Sequence, residues 1–322
     1  CFYNESKYKE WKNANNNGKG WTIKYYKGLG TSTSKEFKEY FKHKRLITFS
    51  YTGNTSDNAI DKVFNKERSD DRKEWLENYN RDDVLETDKN KIPYEDFVDK
   101  EMIHFSKYDC ERSIPNLIDG LKTSLRKIMY AAFKKKLTKE IKVAQFSGYV
   151  SEHSGYHHGE MSLNKAIVGL AQNYVGANNV NLLMPNGQFG TRLEGGKDAA
   201  SERYIYTELN PLVEYIYPVE DMPLLNYLND DGYMVEPDYY LPILPMTLVN
   251  GGKGIGTGYS YEGLCYNPKQ IITFVKNKIK GIENKNNVSI EPYYENFKGS
   301  IQKINEKKFM IKGVYQIISS DS

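Results

Sequence analysis

The sequence predicts an α+β protein of more than one domain, and three observations carry that expectation. Its 322 residues exceed what one hydrophobic core commonly organises. Between about residues 98 and 210, apolar residues recur at three- and four-residue spacing, the signature of amphipathic helices. On either side, short aromatic or β-branched runs stop at glycine-rich turns, as strands do.

The elements follow in order. Glu5–Lys12 reads as a helix, Asn13–Gly20 as a loop and Trp21–Tyr26 as an aromatic strand ending at Lys27-Gly28-Leu29-Gly30. Ser34–His43 is a helix with Phe37, Tyr40 and Phe41 on one side. Asp70–Tyr79 is another, and the acidic stretch to about Pro93 is expected to be a linker. Leu117, Ile118, Leu121, Leu125, Ile128, Met129 and Ala132 then share a helix face, which places Lys122, Arg126 and Lys127 largely on the opposite one. Helices near Val143–Ser151 and His158–Val175 are joined by His153-Ser154-Gly155, a helix-turn-helix arrangement. Val180–Met184 and Arg203–Thr207 are expected to be strands beside turns at Pro185-Asn186-Gly187 and Gly195-Gly196, which would form wings. The last third holds apolar Leu241–Val249, a glycine cluster at 251–258, a helix over Pro268–Lys280 and strands near Gly299–Ile304 and Phe309–Gln316. The expected domains are therefore 1–97, 98–210 and 211–322.

Composition narrows the class. Charged residues make up 27% and apolar ones 39%, which argues against wholesale disorder. No window approaches the roughly 18 uninterrupted apolar residues of a membrane span, and no charged-then-apolar signal opens the chain. An intracellular protein without a membrane partner is expected. Cys1, Cys110 and Cys265 are far apart and lack metal-ligand spacing. The net charge of +3 announces no nucleic-acid binder, but lysines and arginines cluster at 24–27, 42–45, 122–127 and 134–136, so basic faces are possible. The chain starts without Met and stops just after a strand-like run, so a piece of a longer protein is expected.

The pair Arg203–Tyr204 carries the most chemistry. A phenol can attack a DNA phosphodiester and hold the broken strand as a phosphotyrosine, and an adjacent cation can take up the charge that develops on phosphorus. With 27 tyrosines in the chain, packing is the competing reading for any one of them. His157-His158-Gly159-Glu160 allows either a metal or a phosphate at a helix N-terminus; adjacent histidines lack the i, i+4 spacing that lets two face one ion, whereas N-terminal amides favour phosphate. Neither glycine run has the spacing of a nucleotide loop. Ile255, flanked by Gly254 and Gly256, is either a core anchor or a wedge that unstacks a base step. Lys197 sits in the Gly-rich turn before Arg203–Tyr204.

These residues resemble the eukaryotic and viral type IIA DNA topoisomerases. The resemblance runs through Tyr25–Glu36, Asp71–Leu76, Glu111-Arg112-Ser113-Ile114-Pro115, Tyr156–Glu160, Pro185–Arg192, the Tyr204 segment and Gly254–Gly258, in order, up to Tyr293–Gly299. It implies the end of an α/β TOPRIM domain and linker at 1–97, a winged-helix domain at 98–210 and the start of an α+β tower domain at 211–322. It also implies Tyr204 as nucleophile, Arg203 and His158 as its catalytic partners, Ile255 as an intercalating wedge, and Lys27, Lys197, Arg126, Lys127 and His157 as DNA contacts. The implied partners are double-stranded DNA and a second copy of the protein, and the implied activity is ATP-dependent passage of one duplex through another. Mg²⁺ would be held by acidic motifs expected upstream of Cys1 and ATP by a domain further upstream, so no metal ligand is expected in this chain. A nucleus, or a viral compartment, is the implied location.

Within the matching segments Glu202 stands where the family usually has Pro, and Thr123-Ser124 where it usually has Pro-Gly. Alternation along a strand would turn Glu202 to solvent, away from Arg203. Two rival readings stay open on the residues alone: an architectural DNA-bending module in which Tyr204 is packed, and a metal hydrolase built on His157 and His158.

Overall fold

A computed structural model describes the chain except for residues 1, 4, 27, 28, 45, 88, 90, 231, 283–289, 306, 307 and 319–322. The chain divides into two compact units, Cys1–Asp109 with Thr257–Tyr259, and Cys110–Gly256 with Ser260–Ser322.

The first unit is mostly helical: α1 (Glu5–Ala14), α2 (Ser34–Lys42), α3 (Asn54–Phe64), α4 (Ser69–Glu77) and α5 (Tyr94–Phe97), which runs through a π-turn at Val98–Met102 into α6 (Ile103–Ser113), whose residues from Cys110 on belong to the second unit. Thr33 and Glu36 start α2 by reciprocal bonds, the Thr33 N–H donating to the carboxylate at 2.6 Å and the Glu36 N–H to the Thr33 hydroxyl at 3.4 Å. The expected strand Trp21–Tyr26 does not form. Those residues are exposed and without regular structure, and the side chains of Lys24 and Tyr26 turn instead to Glu36. The Thr33 N–H, then Tyr26 and Lys24, hold the Glu36 carboxyl down at about 2. The stretch expected as a linker returns to the same unit, where β2 (Lys91–Pro93) pairs in parallel with β1 (Thr48–Ser50), Phe49 opposite Ile92. Ile92, 2% exposed, is the apolar reason for the return.

In the second unit α7 (Thr123–Lys135), α8 (Val143–Ser154) and α9 (Glu160–Ala171) pack around a core of Ile128, Met129, Ala132, Phe146, Val150, Leu163 and Ile167, all fully buried. The periodicity predicted α7 from Leu117, but the helix begins six residues later. Gly120 has φ +71°, and a Cβ there would stand 2.8 Å from the Thr247 amide, so the chain bends in the left-handed region where glycine is at home. Leu117 and Ile118 are left exposed before the bend.

Short ladders complete the unit. β3 (Ile141–Lys142) pairs antiparallel with β4 (Tyr206–Thr207), and Asn186 bridges to Tyr206 and Leu183 to Leu209. Of the expected strands Val180–Met184 and Arg203–Thr207, only Tyr206–Thr207 is a strand. Helix α10 (Val213–Ile216) leads to the hairpin β5 (Tyr227–Asp230) and β6 (Tyr233–Pro237), and α11 (Met246–Val249) to the hairpin β7 (Gly252–Ile255) and β8 (Ser260–Gly263). Asn267 caps α12 (Pro268–Ile279) by accepting from the Lys269 N–H at 2.9 Å. β9 (Ser300–Asn305) and β10 (Lys308–Lys312) form the last antiparallel pair.

Candidate nucleic-acid interface

Tyr204 lies on a turn, not on the expected strand. Its N–H donates to the Ser201 carbonyl at 2.9 Å, and the turn is fixed on both sides of the phenol. The Glu202 and Ile205 carbonyls accept from Ala144 and Val143, both at 3.0 Å, which satisfies amides that the start of α8 would otherwise leave open. Ile205 is 1% exposed, while its neighbour Tyr204 is 76% exposed. A buried anchor beside an exposed phenol leaves the Tyr204 side chain open on a turn hydrogen-bonded at both ends. Arg203 is exposed next to it. The Glu202 carboxylate accepts from the Ser201 hydroxyl at 3.3 Å, and Glu202 is half-buried on this turn instead of facing solvent on an alternating strand.

His157 and His158 occupy the turn between α8 and α9. His158 precedes α9 instead of opening the helix expected at His158–Val175, since α9 begins at Glu160 after the N-cap Gly159. No side chain caps that terminus, so the first-turn amides and the helix dipole favour an anion there. Burial first, then the nearby charges of Arg112, His157 and Lys127, push the His158 imidazole below its ordinary value. The Tyr204 turn joins the N-terminal end of α8 and His158 follows its C-terminal end; the helix has 12 residues, a span of about 18 Å.

Lys197 is exposed on the loop before Arg203 and Tyr204. That loop is tied down by Gln172, whose amide donates to the Phe189 and Gly196 carbonyls at 2.8 and 3.2 Å, and by Asp198, which accepts from the Thr191 N–H and hydroxyl at 2.8 and 2.7 Å.

Ile255 lies at the end of β7. Alternate residues of a strand face opposite ways, and on β7 the alternation is lopsided. A Cβ on Gly254 would stand 2.2 Å from the Ser113 carbonyl oxygen, one on Gly256 2.9 Å from the Cys110 sulfur, and one on Gly252 3.2 Å from Pro115. The glycines thus seat β7 directly on the 110–115 backbone. Lys253 and Ile255 take the other face, and Ile255 is 70% exposed. It is not a core anchor.

Arg126 and Lys127 correct the expectation of a solvent face on α7. Arg126, 6% exposed, donates from Nε and Nη2 to the two carboxylate oxygens of Asp119 at 2.7 and 3.1 Å. Lys127 donates to Glu236 at 2.7 Å and to the Ser154 carbonyl at 2.6 Å. Both cations are committed inside the protein. Lys27 lies outside the described residues.

Residues 112–321 match the family model for the A subunit of DNA gyrase/topoisomerase IV, and residues 1–110 the model for the C-terminal associated domain of TOPRIM. The chain belongs to the type IIA DNA topoisomerases. It is 49% identical over 322 residues to DNA topoisomerase 2 of Arabidopsis thaliana, covering 98% of this chain and 22% of that protein. It is 46% identical over 334 residues to DNA topoisomerase 2-alpha of Rattus norvegicus, covering 99% of this chain and 22% of the relative. Among solved structures, the DNA-binding, cleavage and re-ligation domain of Plasmodium falciparum topoisomerase II matches with a TM-score of 0.82 and 46% identity, over 99% of this chain and 43% of that one. The chain spans about a fifth of the length of the curated relatives it matches.

As a type IIA topoisomerase chain it holds two residues of interest that pattern reading passed over. Arg112, inside the Glu-Arg-Ser-Ile-Pro segment, acts electrostatically on His158; its sequence signal was a motif without an evident task. Lys253 shares the exposed face of Ile255 and pairs across the hairpin with Glu262 at 3.1 Å, a placement visible only once strand pairing is known. Among the described residues, no group of three or more His, Cys, Asp or Glu is placed to hold a metal ion, and no helix is long and apolar enough to cross a membrane.

Proposed function

We propose that this chain belongs to the DNA-cleaving core of a type II DNA topoisomerase, with Tyr204 as the strand-cutting nucleophile. The observation that carries the reading is the phenol itself, 76% exposed beside Arg203 on a turn anchored by a residue 1% exposed. Rigid presentation of a nucleophile lowers the entropic part of the barrier.

The Tyr204 oxygen attacks a DNA phosphorus. A new O–P bond forms as the phenol gives up its proton, the bond to the 3′ sugar oxygen breaks, that oxygen takes up a proton and leaves as a hydroxyl, and the strand end is kept as a 5′-phosphotyrosine. Arg203 neutralises charge that grows on the non-bridging oxygens. His158, held toward its neutral form by burial and by Arg112, offers hydrogen bonds to a phosphate at low charge cost. Ile255 enters a base step and bends the duplex, and Lys197 on its loop meets the backbone. Because the phosphotyrosine preserves the phosphodiester's bond energy, the sugar hydroxyl can reverse the step without a nucleotide.

Two such chains, one per strand, give a double-strand break through which a second duplex passes. ATP and Mg²⁺ use by the whole enzyme is supported by the TOPRIM-associated segment and the topoisomerase 2 relatives. A divalent ion would supply charge neutralisation at the scissile phosphate; among the described residues of this chain no group of three or more His, Cys, Asp or Glu is placed to hold it. The organisms of those relatives support a nuclear location.

The test incubates end-labelled duplex with the protein, expressed within its complete reading frame, and quenches with detergent. Label should remain on the wild type and be absent from Tyr204→Phe. Label persisting on the variant assigns another nucleophile, and bending without label in the wild type leaves an architectural DNA-binding module.

A further inference from the structure

The turn that carries His158 is gripped from behind by the β5–β6 hairpin. His157 Nε2 lies 3.2 Å from Asp230 Oδ2, with the two side chains 48% and 34% exposed. Gly155, first residue of the turn, has φ +59°, and a Cβ there would stand 2.5 Å from the same Asp230 oxygen; only glycine admits the carboxylate so close. The second strand of the hairpin holds the preceding residue. Glu236, its carboxylate 2% exposed, takes Lys127 at 2.7 Å, and Lys127 in turn donates to the Ser154 carbonyl at 2.6 Å. Tyr130 ties the hairpin to α7 through the Met234 carbonyl at 3.0 Å.

We propose that Asp230 is a positioning residue for the His157–His158 turn, acting through His157, with the β5–β6 hairpin as the brace that holds it. The proposal rests on the reading that His158 meets a DNA phosphate. The two contacts of the brace differ in kind. Lys127–Glu236 is buried, and breaking it leaves an unpaired charge that costs stability. His157–Asp230 is half-exposed, and such pairs contribute little to stability. What the exposed pair does fix is the side chain adjacent to His158 in a turn opened by a left-handed glycine. Displacement by about 1 Å at a reacting centre slows chemistry strongly, so a contact weak in stability is strong in rate.

The experiment measures single-turnover formation of the covalent DNA adduct by the protein in its complete reading frame, with DNA affinity and melting temperature alongside. Asp230→Ala should slow adduct formation about tenfold while leaving affinity and melting temperature unchanged. Asp230→Asn, whose amide oxygen accepts from His157 at the same place, should restore most of the rate. In a His158→Ala background, Asp230→Ala should cause no further loss, because residues acting through one group are not additive. A wild-type rate for Asp230→Ala overturns the proposal, as does a loss that adds fully to that of His158→Ala or one that Asp230→Asn fails to recover. Absence of adduct in the wild type would instead remove the functional reading and this inference with it, an outcome distinct from the other three.

Discussion

Asp119 and Arg126 form a buried two-pronged ion pair, with Nε to Oδ2 at 2.7 Å and Nη2 to Oδ1 at 3.1 Å and side chains 0% and 7% exposed. Asp119 also accepts from the backbone N–H groups of Leu121 at 2.9 Å and Tyr240 at 3.0 Å, so this carboxylate knits the bend at Gly120 to the segment after β6.

Removing one partner leaves the other charged and buried, which costs about 3–5 kcal/mol. Arg126→Ala is therefore expected to lower stability by that order in urea unfolding, with any loss of DNA affinity following the unfolded fraction. A variant that folds like the wild type yet binds DNA poorly would return Arg126 to the DNA contacts.

Gly254 has no room for a side chain, since its Cβ would stand 2.2 Å from the Ser113 carbonyl oxygen. Gly254→Ala must lift β7 off that backbone, at a cost of about 1–3 kcal/mol, and with it the exposed Ile255. Fluorescence energy transfer across a bound duplex should show reduced bending for both Gly254→Ala and Ile255→Ala, while salt-dependent affinity, set by phosphate contacts, is retained by Ile255→Ala. Unchanged bending in Ile255→Ala would remove the wedge assignment.

His158 sets a pH dependence with a definite sign. Its folded value is depressed from 6.5 by burial and by the charges of Arg112, His157 and Lys127, so the unfolded state binds the proton more readily. Stability from this group is then constant above about pH 6.5 and falls as pH drops from there through the folded value. Because the imidazole is mostly exposed, the effect is small. The stability of wild type relative to His158→Gln should fall between neutral and mildly acidic pH; parallel curves would contradict the assignment.

How far the sequence revealed this molecule depended on how local the deciding forces were. Helices α2, α8 and α12 were legible because caps and apolar spacing act within a few residues. The start of α7 was not, because continuing its periodicity through Gly120 ignored a bend fixed by Asp119, and the same error turned Arg126 outward. The backbone at Tyr204 was misread as a strand, because the residues that hold the turn, Ala144 and Val143, are some sixty positions upstream. The exposure of Ile255 was not legible, because it depends on the glycines on either side meeting Ser113 and Cys110.

The central claim is that Tyr204 cuts DNA, and the most direct measurement maps the attachment point. The covalent adduct formed by the wild-type protein in its complete reading frame is digested with nuclease and protease, and the nucleotide-bearing peptide is sequenced by mass spectrometry. The expected result is a single modified peptide whose nucleotide sits on Tyr204. A nucleotide mapped to any other residue would contradict it.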